Sequence, residues 1–590
     1  MQSELRDEYA RISALYDVLF RLNDLQHSDS HSVQFAQLSS RAHTLLCANP
    51  FHAFLRTPPD DMPVDRFIKT PEGTILVGNI ISFGLCGSIE YLRQDRALLE
   101  YVTSIWPEIF DWIYYMCPLS HEYDYSSLDS AALKTLTITM ERIQTNLHGV
   151  TLLQASEEQI DVFLHPNHNV AQLTADIYMR GSRIRDLQTG SGQAELKGFR
   201  DVVLRTTGVL LLVLDMAHKH RGGSAFQVFL AAANGRPRRL YSAAGRYLRM
   251  VRVQDANMWD SADPQAIFLR QLTGRPALAV RRYPSIMIVG LMKMIRAWPT
   301  NPSSRGPSSF QRVYDLILTF CTNDPHATAR FVKHGLLDLF SFDVRLPPRE
   351  LTPILGCISR ALVSRRPLKV ICGPLNAAFN NDPDPSLAEL AAAAEVYDSL
   401  RDVAAKDWKR AKHCANMRCS NPAGAQLRAC TCSQALYCSV SCQALHLTEG
   451  DHRDHCNINS EDEGKMTPRD VHFLYHIVRL LVLERFDEIM DKVTPNRSAR
   501  ITLDIRSCVP KIGFQSSPVF APERTQFWVD ATIEYPGWPN AHEFVFYPAG
   551  SEEPDFMPLT HGYMDAWTQY DERRAQMNGT LLTNHDASAM

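Results

Sequence analysis

Seven of the fourteen cysteines in this 590-residue chain fall within residues 414–456, and the other seven are scattered singly. Thiolate and imidazole side chains at short spacing are the ligands that zinc takes in structural sites. Scattered thiols are typical of a reducing compartment, so we expect an intracellular protein, nuclear or cytoplasmic. A cysteine cluster in such a protein indicates metal binding before disulfides.

The potential ligands form four close pairs along the chain. A closed structural zinc site takes four ligands, so eight donors predict two Zn²⁺ ions per chain. A segment this short has little apolar core, and metal binding should therefore supply most of its folding free energy. The pairs are Cys414 with Cys419, Cys430 with Cys432, Cys438 with Cys442, and His452 with Cys456.

The run from Tyr437 to Gln443 reads Tyr-Cys-Ser-Val-Ser-Cys-Gln, and a His-x3-Cys pair follows at 452–456. This pattern resembles the MYND-type zinc finger over about 7% of the chain. Outside the finger, the chain loosely resembles the MYND-finger proteins of mushroom-forming fungi. The family's cross-brace implies two sites. One zinc would be held by Cys414, Cys419, Cys438 and Cys442, and the other by Cys430, Cys432, His452 and Cys456.

Two spacings depart from the family pattern. The first pair is separated by four residues and the second by one, where the family has two. Cys432 keeps the family's distance from Tyr437, so Cys430 is the displaced ligand. His446 and His455 are rival donors to His452.

Family fingers of this kind mostly bind other proteins through short proline-containing peptides. The resemblance implies a peptide groove at Ser439 and Gln443, with Leu447 standing where the family has a tryptophan. Losing that aromatic wall weakens the groove, because aromatic side chains supply much of an interface's anchoring energy. We therefore expect the protein to bind other proteins and, through them, to regulate transcription or assembly.

Charge argues against nucleic acid as a partner. The chain carries a net charge of -4. Residues 406–456 hold seven basic and four acidic side chains, a balance of +3 that seven thiolates with two zinc ions cancel. A phosphate-binding surface needs concentrated positive charge, and this near-neutral segment has only a weak basic patch at 408–412.

No catalytic motif is found in the sequence. The enzyme alternative is a lysine methyltransferase that uses S-adenosylmethionine and carries this finger within its catalytic domain. The methyltransferase interpretation requires an Asn-His cofactor motif after the finger. The only Asn-His pair after the finger, at 584–585, lies in the C-terminal tail, so this interpretation is disfavoured.

The remaining sequence predicts a mainly helical chain that positions the finger. We expect a helical domain over 1–300 and a helical region over 308–410, which is either armadillo- or HEAT-like or an irregular helical domain. Val313, Leu316, Ile317 and Phe320 form one helical stripe, and Asp324-Pro325 ends that helix. Residues 373–385 contain three Asn and three Pro and predict a loop. No apolar stretch reaches the ~20 residues that a membrane-spanning helix needs, so a membrane partner is not expected.

After the finger at 414–456, a small α+β domain is expected over 467–570. Thr467-Pro468 predicts the start of a helix that runs to about Val493. Alternating apolar residues then predict strands over 501–505, 527–535 and 542–547. Residues 578–590 are expected to be a frayed tail.

Overall fold

The computed structural model describes most of the chain, with gaps. It covers residues 2–28, 32–48, 51–59, 62–90, 92–120, 129–184, 193–222, 225–253, 258–280, 282–297, 306–340, 348–381, 385–411, 414–416, 418–420, 427–430, 435–448, 468–485, 488, 499–504, 511–516, 527–532, 542–547 and 555–559. The described part is mostly helical, as predicted.

The helices, in chain order, are α1 (Gln2–Ser28), α2 (Val33–Cys47), α3 (Val64–Phe67), α4 (Pro71–Ser88), α5 (Arg96–Ser104), α6 (Trp106–Met116), α7 (Ser130–Leu152), α8 (Glu157–Phe163), α9 (Val170–Gly181), α10 (Gln193–Arg221), α11 (Ala225–Ala232), α12 (Pro237–Met250), α13 (Met258–Thr273), α14 (Ser285–Ala297), α15 (Gly306–Asn323), α16 (Pro325–Lys333), α17 (Pro348–Leu362), α18 (Arg365–Asn381), α19 (Pro385–Ala411), α20 (Val440–Thr448) and α21 (Pro468–Glu484). The strands are β1 (Arg428–Ala429), β2 (Leu436–Tyr437), β3 (Ala499–Asp504), β4 (Lys511–Ser516), β5 (Phe527–Thr532), β6 (His542–Tyr547) and β7 (Asp555–Leu559).

The chain divides into two compact units. The first comprises residues 1–280 and 289–313, and the second comprises 281–288 and 314–590. The cysteine cluster therefore belongs to the second unit, with α16 to α21 and all the strands. None of the described helices is both long and apolar enough to cross a membrane.

Close helix packing in the first unit depends on glycine. A Cβ atom added at Gly87 on α4 would lie 2.4 Å from the Cα of Gly149 on α7. Real Cβ atoms do not approach backbone so closely, so these two helices touch backbone to backbone at this point. Trp106, Leu133 and Leu147, all fully buried, belong to the apolar core of the same unit.

The predicted stripe on α15 is confirmed. Val313, Leu316, Ile317 and Phe320 are all buried, and Asp324 caps the start of α16 through a 2.8 Å hydrogen bond from the His326 backbone N–H. Gly335 follows α16 with φ of +86°, a conformation that suits glycine. Leu336–Phe340 is a 3₁₀ turn. An armadillo- or HEAT-like array remains a prediction.

The predicted loop over 373–385 is wrong over most of its length. The α18 helix continues through Gly373 and Pro374 to Asn381. Leu368, Ile371 and Leu375 are completely buried at helical spacing. An internal proline destabilises a helix, so the local sequence favours a loop here. Burial of the apolar stripe outweighs that cost, and the helix continues.

A single sheet of five strands follows α21, in the order β4-β3-β5-β6-β7. β3 pairs with β5 in parallel, and the other neighbours pair antiparallel. The predicted strand at 542–547 is confirmed. β3 begins two residues earlier than predicted and ends one residue earlier, at Asp504, whereas β5 ends at Thr532 and is shorter than predicted. The α21 helix also ends earlier than predicted, at Glu484. β4 and β7 were not predicted. β7 contains Pro558, which an edge strand tolerates and a sequence pattern discounts.

Candidate metal centre

Four cysteines, far apart in pairs along the sequence, meet in space. The Sγ atoms of Cys414, Cys419, Cys438 and Cys442 all lie within 4.8 Å of one another, and we call them the thiol tetrad. The Cys419–Cys438 and Cys438–Cys442 sulfur atoms are 3.4 and 3.5 Å apart. Zinc with four Zn–S bonds of ~2.3 Å requires sulfur atoms about 3.8 Å apart, and a disulfide requires ~2.05 Å. The donor set therefore fits a tetrahedral metal ion and not a disulfide pair.

A tight turn presents the first two ligands. Helix α19 ends shortly before Cys414, and the backbone N–H of Ala415 donates to the carbonyl of Leu436 at 2.8 Å. The buried Asn416 closes the turn, because its side-chain oxygen accepts from Arg418 N–H and its carbonyl accepts from Cys419 N–H. The local hydrogen bonds thus aim both thiols at one point.

The other two ligands flank the start of a helix. Cys438 directly follows β2, and Cys442 lies in the first turn of α20. The Ser439 hydroxyl accepts from Cys442 N–H at 3.1 Å, and the Ser439 carbonyl accepts from Gln443 N–H. Ser439 is therefore an N-cap residue that fixes the first turn of α20.

The tetrad thiols differ in acidity. Hydrogen bonds, first from the Ser439 side chain and then from those of Asn416 and Cys438, lower the pKa of Cys442 to about 6. Burial raises the pKa of Cys414 to about 12. A bound cation would favour the thiolate at both positions, since metal ligation deprotonates a thiol outright.

Cys430 lies outside the tetrad. It directly follows β1, its N–H donates to the carbonyl of Ala435 at 2.8 Å, and it is 3% exposed. The Gln443 side-chain amide donates to its sulfur at 3.4 Å. Cys432, His452 and Cys456, the ligands predicted to share its metal ion, and the rival His455 fall outside the described residues.

The residues predicted to form a peptide groove hold the module together. Ser439 caps α20, and Gln443 ties α20 to Cys430. Leu447 is half-buried on the same helix. The opposite face of α20 points outward, with Val440 71% and Leu445 41% exposed.

Sequence reasoning missed one contact of the module. The Tyr437 hydroxyl forms a hydrogen bond with His446, which its sequence position suggested only as a rival metal donor. A signal was present, since Tyr437 belongs to the motif that carries the resemblance and His446 is the nearest histidine after it.

Comparison of the chain with family models, with curated proteins and with solved structures found no match.

Proposed function

We propose that residues 414–456 form a MYND-type zinc module and that the protein uses this module to bind other proteins. The single observation that carries the proposal is the composition of the thiol tetrad. It combines the first cysteine pair with the third and leaves out Cys430 of the second pair. Such interleaving supports a cross-brace, in which alternate ligand pairs share an ion.

The donor chemistry supports zinc in a structural role. Four thiolates select zinc or an iron–sulfur centre over magnesium or calcium. When sulfur fills all four positions, no coordination position remains for substrate or water. What the metal supplies is stability, because the described buried core of this segment consists of only Cys414, Cys430, Ala435 and Tyr437.

A second zinc ion completes the proposed module. Cys430 is buried close to the tetrad core without belonging to the tetrad, which suits a ligand of a neighbouring ion. Cys432, His452 and Cys456 would be the remaining three ligands of that ion.

Protein binding is proposed for the outward face of α20. The described residues of this face are Val440, Ser441, Ala444, Leu445 and Thr448, all exposed and all uncharged. An uncharged, partly apolar strip on a helix stiffened by metal suits a proline-containing peptide, which is itself extended and loses little entropy on binding.

Elemental analysis of the full-length protein tests the metal centre. Wild type should carry two zinc ions, and Cys442→Ser should carry one, or none if the two sites fold together. Cys47→Ser is the matched control, because Cys47 is exposed on α2 and should be silent. One zinc in wild type would contradict the second site, and none would contradict the module.

Selection from a displayed library of proline-containing peptides tests the binding role separately. Val440→Asp should abolish enrichment, while Val33→Asp should not, since Val33 is equally exposed, at 75%, on α2. Equal enrichment by both variants, or none by wild type, would contradict the proposed surface.

A further inference from the structure

The first unit contains a run of basic residues that the cysteine cluster does not involve. Residues 234–253 contain six arginines and no aspartate, glutamate or lysine. Helix α12 occupies the centre of this segment. We call the six side chains the arginine stripe; they are Arg236, Arg238, Arg239, Arg246, Arg249 and Arg252.

The two faces of α12 have opposite character. Tyr241, Tyr247 and Leu248 are completely buried, and the Tyr247 hydroxyl donates to the carbonyl of Tyr178 at 2.9 Å. At 100° per residue, the four arginines within the helix fall inside about 100° of its circumference. Arg238 and Arg249, the first and last of these four, are eleven residues apart, so the helical part of the stripe is a row of cations about 16.5 Å long.

No described carboxylate neutralises this row. Within the described part of the chain, none of the six guanidinium groups forms an ion pair. Acidic residues on neighbouring helices already have partners: Asp215 pairs with Lys219 at 2.8 Å, and Asp263 pairs with Arg312 at 2.6 Å. The ammonium group of Lys293 donates to the carbonyl of Arg249 at 3.0 Å and adds a cation at the C-terminal end of α12.

The side chains around the arginine stripe indicate which kind of anionic partner it could bind. Among the described residues, no large apolar side chain between Leu212 and Val396 is exposed. A protein partner needs apolar anchors, a membrane needs residues that insert, and single-stranded nucleic acid needs aromatic platforms. A duplex, in contrast, can be bound through its phosphates alone, without apolar anchors or aromatic platforms.

We propose that the arginine stripe binds the phosphate backbone of double-stranded DNA without reading its sequence. Guanidinium groups pair with phosphate in bidentate geometry. Phosphates of one strand recur every 3.4 Å along the axis, so a row of about 16.5 Å spans roughly five of them. The prediction that nucleic acid is not a partner used the net charge of the whole chain and the net charge of residues 406–456. Neither value reveals a local row of arginines on α12.

The test is fluorescence anisotropy with the full-length protein and a labelled 20-base-pair DNA duplex, repeated across salt concentrations. Four phosphate contacts give a slope of log K against log salt of about -4. In R238Q/R246Q the slope should fall to about -2, and affinity at 0.1 M salt should drop roughly 50-fold. R238K/R246K should restore most of the slope, because lysine keeps the charge.

R96Q/R205Q is the matched control. It removes the same charge from helices of the same unit, but Arg96 and Arg205 already pair with Glu100 and Glu141 at 2.8 Å. Its affinity should stay within twofold of wild type. Three results would overturn the proposal: no duplex binding at 50 mM salt, equal losses in R238Q/R246Q and the control, or tighter binding to duplex RNA, polyglutamate or anionic vesicles than to DNA.

Discussion

The hydroxyl oxygen of Tyr437 lies 2.9 Å from Nδ1 of His446, and the two rings meet edge to face with centroids 5.8 Å apart. The pair connects the end of β2 to the last turns of α20. Cys438 and Cys442 lie between them in sequence, so this contact braces half of the thiol tetrad from outside. His446 therefore supports the thiol tetrad by packing, and one of its ring nitrogens is already engaged.

Removing this brace should loosen the metal site without emptying it. In His446→Ala, elemental analysis should still find the wild-type zinc content, because the tetrad retains all four sulfur ligands. Transfer of zinc to a colorimetric chelator should become faster, and Tyr437→Phe should accelerate it in the same direction. Complete metal loss from His446→Ala would show instead that this histidine is a ligand.

The backbone contact between Gly87 and Gly149 predicts a large effect from one methyl group. Gly87→Ala should destabilise the first unit by about 3 kcal/mol, since overpacking costs 1–3 kcal/mol and here the neighbour is backbone that cannot rotate away. Chemical denaturation followed by circular dichroism measures the change. Gly198→Ala on α10 is the control, because its new Cβ meets nothing within 4 Å and should be neutral or stabilising.

Leu316 on α15 is 2% exposed, so Leu316→Ala should leave a cavity in the second unit. The expected loss is about 2–5 kcal/mol in the free energy of unfolding. Leu212→Ala provides the comparison, since Leu212 is 39% exposed on α10 and should change stability by no more than about 0.5 kcal/mol. Equal melting temperatures for the two variants would contradict the burial of the α15 stripe.

His326, at the N-terminus of α16, should make the second unit sensitive to acid. Burial first, and then repulsion from Arg282, Arg366 and Arg330 against the attraction of Asp470, lowers its pKa below the ordinary 6.5. The unfolded chain therefore takes up this proton first, so the stability that depends on neutral His326 is present above pH 6.5 and is lost below it. The melting temperature should fall between pH 7.5 and 5.5, and by less in His326→Gln. Identical pH profiles for the two proteins would refute this role.

Local sequence patterns correctly predicted those segments whose secondary structure is determined by neighbouring residues in the chain. The stripe from Val313 to Phe320 and the strand His542–Tyr547 needed only periodicity, and both are confirmed. The membership of the thiol tetrad, in contrast, came from a family resemblance, since spacing alone does not say which pairs share an ion.

Features that depend on distant partners were not predictable from the sequence. Pro374 continues a helix because Leu368 and Leu375 are buried by other elements, and no local rule contains that information. The Tyr437–His446 contact and the arginine stripe were missed for related reasons. One needs the fold to bring two residues together, and the other needs the helix to align charges that a chain-wide sum averages away.

The tetrad ligands all lie between Cys414 and Cys442, and this has a consequence for synthesis on the ribosome. A metal ion can close the site as soon as Cys442 has left the exit tunnel. The sheet is different, because β3 stays without its parallel neighbour until β5 is made, and β7 ends at Leu559. At 5–20 residues per second, the interval between Cys442 and Leu559 lasts roughly 10 s. Under the proposed zinc role, metal availability during those seconds determines whether the emerging sheet strands follow an already folded module or a segment with seven free cysteines.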